Sequence, residues 1–443
     1  MTDTSLRLAE WQSIAPVPGS PTEGVDLGDD PAVRGLARRL SDAGMLEVLE
    51  LRTGLSVRST SFVGRVRFGD IDITVVPKLR SDALLTLLRY AYGLRNLHLL
   101  PPAAHTTQVF GLQDLLVWQL MEEVGELMAR GLRRAYVRRE EALASPRGRI
   151  DFQAMSGRGP LVEAALPCVH HLRDEDRLIN RVLLAGMRLA ASVSADRGLR
   201  VRAGRLADLL GEIVAPIRLD QQVFRKLAGE MDRTTRAYEP AISLIHILHE
   251  AGGLSLGEGE AGPSLPGFLF DMNRFFQVLL ARYLSENLTG HVVRPEHRLK
   301  GMFAYVPGWN PRRSQAPTPR PDFVVSHGAK TVAILDTKYR DLWENPLPRD
   351  MLYQLAVYAL GHESGSATIL YPTTHGLATE ARIEVRDPVL GGRRALVVIR
   401  PVDLGMLERL VNSRPTAATL RERSDHAHRL AFGGEVSKRK FQA

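Results

Sequence analysis

The sequence predicts a multidomain α+β protein, with a small β-rich amino-terminal module, a helical middle region and a carboxy-terminal α/β domain. At 443 residues the chain is too long for one ordinary hydrophobic core. Its residues are 44% hydrophobic and 24% charged, which is typical of a globular protein. The spacing of apolar residues changes along the chain from two, to three and four, and then to an alternation of both.

The first predicted domain, residues 1–110, contains the strand patterns. After a weakly patterned start, strands are predicted over 45–51, 56–68 and 71–79, followed by a helix over 83–92. The turn Gly69-Asp70 joins two alternating segments and predicts a hairpin.

The second predicted domain, residues 111–250, has helical spacing. Helices are predicted over 112–144, 178–194, 202–213, 221–231 and 240–250. Residues 251–267 hold six glycines and two prolines, which indicates a linker.

The third predicted domain, residues 268–405, alternates between helix and strand. Helices are predicted over 270–287 and 349–361, and strands over 292–299, 322–325, 331–336, 368–371, 381–385 and 395–399. Residues 406–443 are predicted to form a helical tail with a basic cluster at Lys438, Arg439 and Lys440.

Composition limits the class of protein. The formal charge of +8 favours a polyanionic partner, and the single cysteine excludes an internal disulfide. The sequence shows no signal peptide and no apolar run long enough for a membrane span, so we expect a cytoplasmic protein that does not associate with membranes. It also lacks the Gly-x-x-x-x-Gly-Lys-Ser/Thr motif, so we expect this chain itself to bind no nucleotide.

The most informative residues lie at the end of the predicted strand 331–336. Because side chains alternate along a strand, Asp336 and Lys338 are expected on one face and Thr337 and Tyr339 on the other. Asp322 opens a neighbouring predicted strand, so two carboxylates and a lysine can converge. This is the group that metal-dependent hydrolysis of a phosphodiester requires. By itself, an Asp-x-Lys tripeptide is usually a solvated strand end.

Asp322, Asp336-x-Lys338 and Gln354-x-x-x-Tyr358 together resemble the core of PD-(D/E)xK nucleases that carry a QxxxY helix. The wider sequence resembles the McrC family, the nuclease subunits of McrBC-type, modification-dependent (type IV) restriction systems. That likeness also includes three upstream segments: Pro77-Lys78-Leu79, Arg147-Gly148-Arg149-Ile150-Asp151, and Asp176 with Asn180.

The resemblance implies roles for these residues. Asp322, Asp336 and the carbonyl of Thr337 would bind Mg²⁺, with Mn²⁺ as an alternative, and Lys338 would position the attacking water. Gln354 and Tyr358 would support the site or contact DNA. The implied partner is a hexameric AAA+ GTPase of McrB type, which would recognise modified cytosine while this chain cuts double-stranded DNA.

The basic loop over 306–320 is a candidate DNA contact. Arg312, Arg313 and Arg320 could bind phosphates, although a solvated loop is the alternative for the first two.

One position departs from the family pattern. Such nucleases often carry a glutamate on the helix before the first strand, where this chain has Gln277. Two alternatives therefore stay open: a DNA-repair exonuclease of QxxxY type, and a non-catalytic adaptor that activates an AAA+ ring and binds DNA.

Overall fold

The computed structural model describes residues 4–94, 112–156, 165–252 and 267–434. Within these ranges the chain has mixed α and β structure with several sheets and helices α1 to α12, which confirms the predicted mixture. Most of the predicted linker (253–266) and the basic cluster of the tail lie outside the described residues.

The amino-terminal module combines short strands with two helices. Its elements are β1 (Thr4–Ala9), β2 (Ser13–Ile14), α1 (Pro31–Asp42), β3 (Leu46–Leu51), β4 (Gly54–Ser59), β5 (Phe62–Phe68), β6 (Ile71–Val76) and α2 (Ser81–Tyr92). Strands β5 and β6 form the predicted hairpin, with Phe68 paired with Ile71 and Gly69 at φ +55°. Strand β1 pairs with β6 in parallel.

One expectation for this module was wrong. The predicted strand 56–68 is two strands, because its two halves pair in different sheets, β4 with β3 and β5 with β6. The weakly patterned start contains β1 and α1. Asp30 caps α1 by accepting from the Ala32 amide at 2.8 Å, and Pro31 occupies the first turn, where its missing N–H costs nothing.

The middle of the chain is mostly helical. It contains α3 (Leu112–Arg130), β7 (Ala135–Leu143), β8 (Arg149–Ile150), α4 (Phe152–Ser156), β9 (Leu166–Asp174), α5 (Leu178–Val193), α6 (Arg197–Gly211), α7 (Gln221–Glu230), a 3₁₀ turn (Arg236–Tyr238) and α8 (Glu239–Gly252). The predicted helix 112–144 was wrong beyond Arg130. Gly131 adopts φ +89°, and the following residues pair antiparallel with β9. Local spacing does not reveal a pairing between segments that far apart.

Asn180, one of the residues that resemble McrC, has a structural role at the start of α5. It is fully buried, and its Nδ2 donates to the carbonyls of Arg133 at 2.9 Å and Glu175 at 2.7 Å. The Tyr238 hydroxyl donates to its Oδ1 at 3.2 Å. The amide therefore fastens three separate segments in the middle of the chain.

The carboxy-terminal part is built on one mixed sheet. Its elements are β10 (Gly267–Asp271), α9 (Met272–Asn287), β11 (Val292–Pro295), β12 (Phe323–His327), β13 (Lys330–Thr337), α10 (Arg349–Leu360), β14 (Ser366–Thr373), β15 (Ala381–Arg386), β16 (Arg393–Asp403), α11 (Leu404–Asn412) and α12 (Ala417–Phe432). The strand order is β11-β12-β13-β14-β16-β15. Neighbours β13, β14 and β16 are parallel, and both edges of the sheet are antiparallel.

Helix α10 covers the sheet face on which the carboxylate of Asp336 is expected. Leu355 and Ala359 of α10 pack with Ile334, Ile369 and Val397 of the sheet in one buried cluster. Because alternate residues of a strand share a face, Asp336 and Ile334 both face α10.

The predicted strand 292–299 was wrong beyond Pro295. Glu296 adopts φ +51°, a left-handed conformation that a strand does not allow, so β11 ends there.

The chain forms two compact units. One consists of Met1–Leu99 together with Asp271–Ala443, and the other of Leu100–Phe270. In the first unit, α2 packs against α9 and α11, and the Tyr90 hydroxyl donates to Glu286 Oε2 at 2.7 Å. The domain boundaries given above stay predictions.

Candidate active site

Asp322 and Asp336 lie next to each other at the ends of neighbouring strands. Asp322 immediately precedes β12, and the antiparallel register pairs Phe323 with Leu335. The backbone N–H of Asp322 donates to Asp336 Oδ1 at 3.4 Å. The two carboxylates that the sequence singled out are therefore brought together.

Asp336 is buried and Asp322 is partly buried, and this affects the charge of both carboxyl groups. Asp336 is 7% exposed. Burial raises the pKa of Asp336 to about 7, and the nearby carboxylate of Asp322 acts in the same direction. Burial also raises the pKa of Asp322. Two acids this close in a low-dielectric site cannot both ionise easily unless a positive charge compensates them.

Lys338 supplies one positive charge. Its backbone N–H donates to the Leu370 carbonyl at 3.0 Å, which fixes its main chain against β14. Its half-buried ammonium lowers the pKa of both Asp322 and Asp336. The lysine therefore belongs to the same electrostatic group as the two carboxylates.

Thr337 and Gln277 hold the Asp322 side chain. The Thr337 amide donates to Asp322 Oδ2 at 2.7 Å, and its hydroxyl donates to the same oxygen. Gln277 Nε2 of α9 donates to Asp322 Oδ1 at 2.9 Å. Strand alternation placed Thr337 away from the carboxylates, and this was wrong for its hydroxyl because β13 ends at this residue. The role of the Thr337 carbonyl as a metal ligand stays a prediction.

Gln354 and Tyr358 stack along α10 as the QxxxY spacing predicts. Gln354 Nε2 donates to the Tyr358 hydroxyl at 2.8 Å. Burial raises the pKa of Tyr358, and both site carboxylates raise it too, so the phenol stays protonated beside them. At 4% exposure Tyr358 is placed to support the carboxylates from within the fold, while Gln354 is exposed.

Arg320 and Glu296 form an ion pair that the sequence did not indicate. Arg320 Nε donates to the Glu296 carbonyl at 3.1 Å, and its guanidinium pairs with the Glu296 carboxylate. Arg274 Nη1 lies 3.2 Å from the same carboxylate. Glu296 also raises the pKa of Asp322, so it is a third carboxylate close to the site. Arg312 and Arg313 are exposed on the loop that follows Glu296.

Two residues of the amino-terminal module form hydrogen bonds with Tyr339, the residue that follows Lys338. Tyr339 is 3% exposed, and its hydroxyl donates to Glu10 Oε1 at 3.4 Å. Its carbonyl accepts from Trp11 Nε1 at 3.2 Å, and its amide donates to Asn273 Oδ1 at 3.0 Å. Residues from two distant parts of the first compact unit thus fix the backbone on which Lys338 stands.

Replacing Glu10 with glutamine is expected to stabilise the folded chain at pH 8 and to have little effect at pH 4. Burial raises the pKa of Glu10 from 4.5 to about 7. Between these values the folded state keeps a proton that the unfolded chain has released, so the free energy of unfolding falls as the pH rises. The difference is on the order of 3 kcal/mol, and glutamine removes it. Urea unfolding at pH 4, 6 and 8 measures it.

Glu363→Gln is the matched control, because its side chain is 81% exposed. It should shift the unfolding free energy by less than about 1 kcal/mol at every pH. Equal stability of Glu10→Gln and the unchanged chain at pH 8 would contradict the assignment of a buried carboxyl.

A second group of possible metal ligands already forms hydrogen bonds and ion pairs with other residues of the chain. The ligand atoms of Asp341, Glu344 and His375 lie within 4.8 Å of one another. His375 Nε2 lies 2.8 Å from Glu344 Oε1, and Lys78 Nζ lies 3.6 Å from Glu344 Oε2. The Thr373 hydroxyl donates to Asp341 at 3.0 Å.

A family comparison spans the residues around the two carboxylates, from Asn273 to Tyr358, but not Glu10 and Trp11. The family model described as "McrBC 5-methylcytosine restriction system component" matches residues 57–372.

The chain belongs to this McrBC family.

One solved structure extends the likeness to the fold. The chain is similar to a chain of the half-complex from the tetradecameric assembly of Thermococcus gammatolerans McrB AAA+ hexamers with bound McrC. That similarity has a TM-score of 0.59 at 19% identity and covers 96% of this chain and 99% of the other. A chain of the McrBC complex from the same organism matches with a TM-score of 0.46 at 19% identity, covering 65% and 88%. No curated protein matches the chain.

Within the described residues of this McrBC family member, none of the helices is both long and apolar enough to cross a membrane.

Sequence reasoning missed Glu296, Arg274, Asn273, Glu10 and Trp11. Glu296 was hidden because the predicted strand 292–299 ran through it. Asn273 lies two residues after Asp271, which caps α9, but nothing local shows that its side chain reaches Tyr339. Glu10 and Trp11 lie outside the McrBC family match and in the segment without a clear pattern. For these two the sequence carried no usable signal.

Proposed function

We propose that this chain is the metal-dependent DNA endonuclease subunit of a McrBC-type restriction complex. The observation that carries the proposal is the pair of the partly buried Asp322 and the buried Asp336, which lie next to each other with Lys338 at the same strand end. A fold interpreted as PD-(D/E)xK accounts for this group, since the two acids and the lysine come from adjacent strands of a sheet that α10 and α9 flank.

The residues present fit a hard divalent cation. Carboxylate oxygens are the ligands that Mg²⁺ prefers, and Asp322 and Asp336 provide four of them. Burial raises the pKa of both acids and a neighbouring carboxylate adds to each shift, so a bound cation would favour their ionised forms. Asp322, Asp336 and the Thr337 carbonyl are proposed to hold Mg²⁺ or Mn²⁺.

When bound, the cation would polarise a water molecule and neutralise charge on the scissile phosphate. The chain's own residues do the rest. Thr337 and Gln277 fix the orientation of the Asp322 carboxylate through three hydrogen bonds. Lys338 keeps its ammonium beside both acids, where it can orient the attacking water and stabilise negative charge that develops on the phosphate. Tyr358 lies behind the acids as a neutral phenol and limits the entry of solvent from the α10 side.

The proposed partner is an AAA+ GTPase hexamer of McrB type. The similar chain with the higher TM-score comes from an assembly of McrB AAA+ hexamers with bound McrC. The present sequence has no phosphate-binding loop of its own, so the partner would supply nucleotide hydrolysis and this chain would stimulate it. Double-stranded DNA is the proposed substrate, and the basic net charge of +8 favours it.

The proposal is tested with the purified chain, its AAA+ partner and a circular plasmid that carries 5-methylcytosine. Linearisation is expected when Mg²⁺ and GTP are both present, and loss of either should prevent it. A circular substrate also separates this function from an exonuclease, which needs free ends. No linear product with the assembled complex, Mg²⁺ and either GTP or ATP would overturn the proposal.

One observation favours a second candidate, a non-catalytic adaptor. Gln277 places a neutral amide on Asp322 where related nucleases often carry an acid, so the site has less charge to hold a cation. An adaptor would stimulate the partner's GTPase and bind DNA without cutting it. Divalent cation binding that requires Asp336 would argue against this candidate.

A further inference from the structure

Residues 298–320 form a loop, here called the aromatic loop, whose two ends lie beside Asp322. The Leu299 amide donates to the Pro319 carbonyl at 2.9 Å, which closes the base of the loop. The Glu296 amide donates to the Asp322 carbonyl at 2.8 Å, which ties this base to the site. Whatever binds the loop is therefore held close to the two carboxylates.

The start of the loop is fixed to the fold. Leu299 and Met302 pack against the buried cluster between α10 and the sheet. The Met302 side chain occupies the space beside Gly361, where an added Cβ would lie 2.3 Å from Met302 Cε. The loop is thus anchored at its base and along its first residues.

The tip of the loop exposes large apolar side chains. The exposed fractions are 79% for Trp309, 65% for Val306, 46% for Tyr305 and 43% for Phe303. The backbone around them is hydrogen-bonded: the Trp309 amide donates to the Val306 carbonyl at 2.9 Å. Asn310 then bonds both backbone groups of Ser314, at 2.9 and 3.0 Å. A shaped tip that leaves four apolar side chains in water indicates a binding surface.

The charge of the loop indicates the chemistry of its partner. It carries Arg298, Lys300, Arg312, Arg313 and Arg320, all exposed, and no acidic residue. A groove of about 650 Å³ next to its base is lined by His297, Arg298, Lys300 and His362, among others. Positive charge interleaved with exposed aromatic rings is the combination that binds nucleic acid through phosphates and bases together.

We propose that the aromatic loop binds the DNA substrate and that the Trp309 ring stacks on a base next to the cleaved phosphodiester. This inference rests on the proposed function, because it takes DNA as the substrate of the neighbouring site. Arg312 and Arg313 contact phosphates and supply affinity without sequence information. The ring inserts at an unstacked or distorted step, as apolar wedges do in proteins that kink the duplex. The loop therefore positions the DNA as well as attracting it.

The test measures DNA binding by the full chain in EDTA, so that cleavage plays no part. Trp309→Ala is expected to weaken binding of a labelled duplex about tenfold, and Trp309→Phe to retain most of the affinity. Leu390→Ala is the matched control, since Leu390 is 84% exposed on the turn after β15, the strand at the opposite edge of the sheet. It should bind as the unchanged chain does.

Two further readouts separate the ring from the charges. DNA should quench tryptophan fluorescence in the unchanged chain and much less in Trp309→Phe. Replacing both Arg312 and Arg313 with glutamine should lower the slope of log affinity against log salt by about two, whereas Trp309→Ala should leave that slope unchanged.

Unchanged affinity of Trp309→Ala together with persistent quenching in Trp309→Phe would overturn the inference. Loss of assembly with the AAA+ partner while DNA binding stays intact would also overturn it, because the tip would then be a protein-docking surface. A chain that binds DNA through Trp309 but never cuts would refute the proposed function and leave the loop assignment standing. If Trp309→Ala cut DNA as fast and bound it as tightly as the unchanged chain, the loop assignment would be refuted and the proposed function would stand.

Discussion

Replacing Lys338 with alanine is expected to reduce DNA cleavage by the assembled complex about a thousandfold or more while leaving cation binding intact. The ammonium is the positive charge of the chain that acts on both Asp322 and Asp336, and transition-state charge in a buried site is costly without it. Cleavage of a methylated plasmid gives the rate, and calorimetric titration with Mn²⁺ gives the affinity for the cation.

Lys330→Ala is a matched control on the same strand. Lys330 begins β13, is 71% exposed and pairs at the surface with Glu363 at 3.7 Å, so its loss should not change the rate. Normal cleavage by Lys338→Ala would remove the lysine from the proposed mechanism. Loss of partner binding or of GTPase stimulation in that variant would show that the defect lies elsewhere.

Replacing Asp336 with asparagine is expected to abolish both cleavage and cation binding, the latter by about a hundredfold or more. The change removes the buried one of the two neighbouring carboxylates and with it much of the charge that would attract the cation. Comparison with Lys338→Ala separates the two roles: one variant should bind Mn²⁺ without cutting, and the other should do neither. The same titration reports both variants.

The thermal stability of Asp336→Asn shows whether a loss of activity comes from the site or from misfolding. The pKa of Asp336 is raised to about 7, so ionising it destabilises the fold as the pH rises towards and above that value. In the absence of cation the asparagine variant should therefore unfold at the same temperature as the unchanged chain, or higher, at pH 8. A variant that melts earlier, or one that still binds Mn²⁺, would contradict the site as described.

The centre of the candidate site could be predicted because its residues are close together in the sequence. Asp336 lies near the end of β13 and Lys338 directly after it, and a short hairpin turn brings Asp322 next to Asp336. The helical spacing of Gln354 and Tyr358 leads directly to their hydrogen bond. Each of these inferences needs fewer than about twenty residues of sequence.

The surroundings of the site could not be predicted because they depend on distant contacts. Tyr339 meets Glu10 and Trp11 across more than 300 positions of the chain. The residues of β7 continue an apolar spacing that looks helical, and their pairing with β9 decides otherwise. The ion pair of Arg320 with Glu296 was also not predicted, because the left-handed backbone of Glu296 has no sequence signature; the DNA contact of Arg320 stays a prediction.

The first compact unit is made of two segments of sequence, and the ribosome synthesises the second unit between them. When Met1–Leu99 leave the ribosome, the helices α9 and α11 that cover α2 do not yet exist. Leu100–Phe270 is made in between and can complete its own core first. The β-rich module cannot complete its packing until Asp271–Ala443 has been translated. Glu10 and Trp11 can contact Tyr339 only at that stage. The backbone next to Lys338 is thus fixed only when the first and the last parts of the chain come together, so a truncated product that lacks either part would not have these contacts.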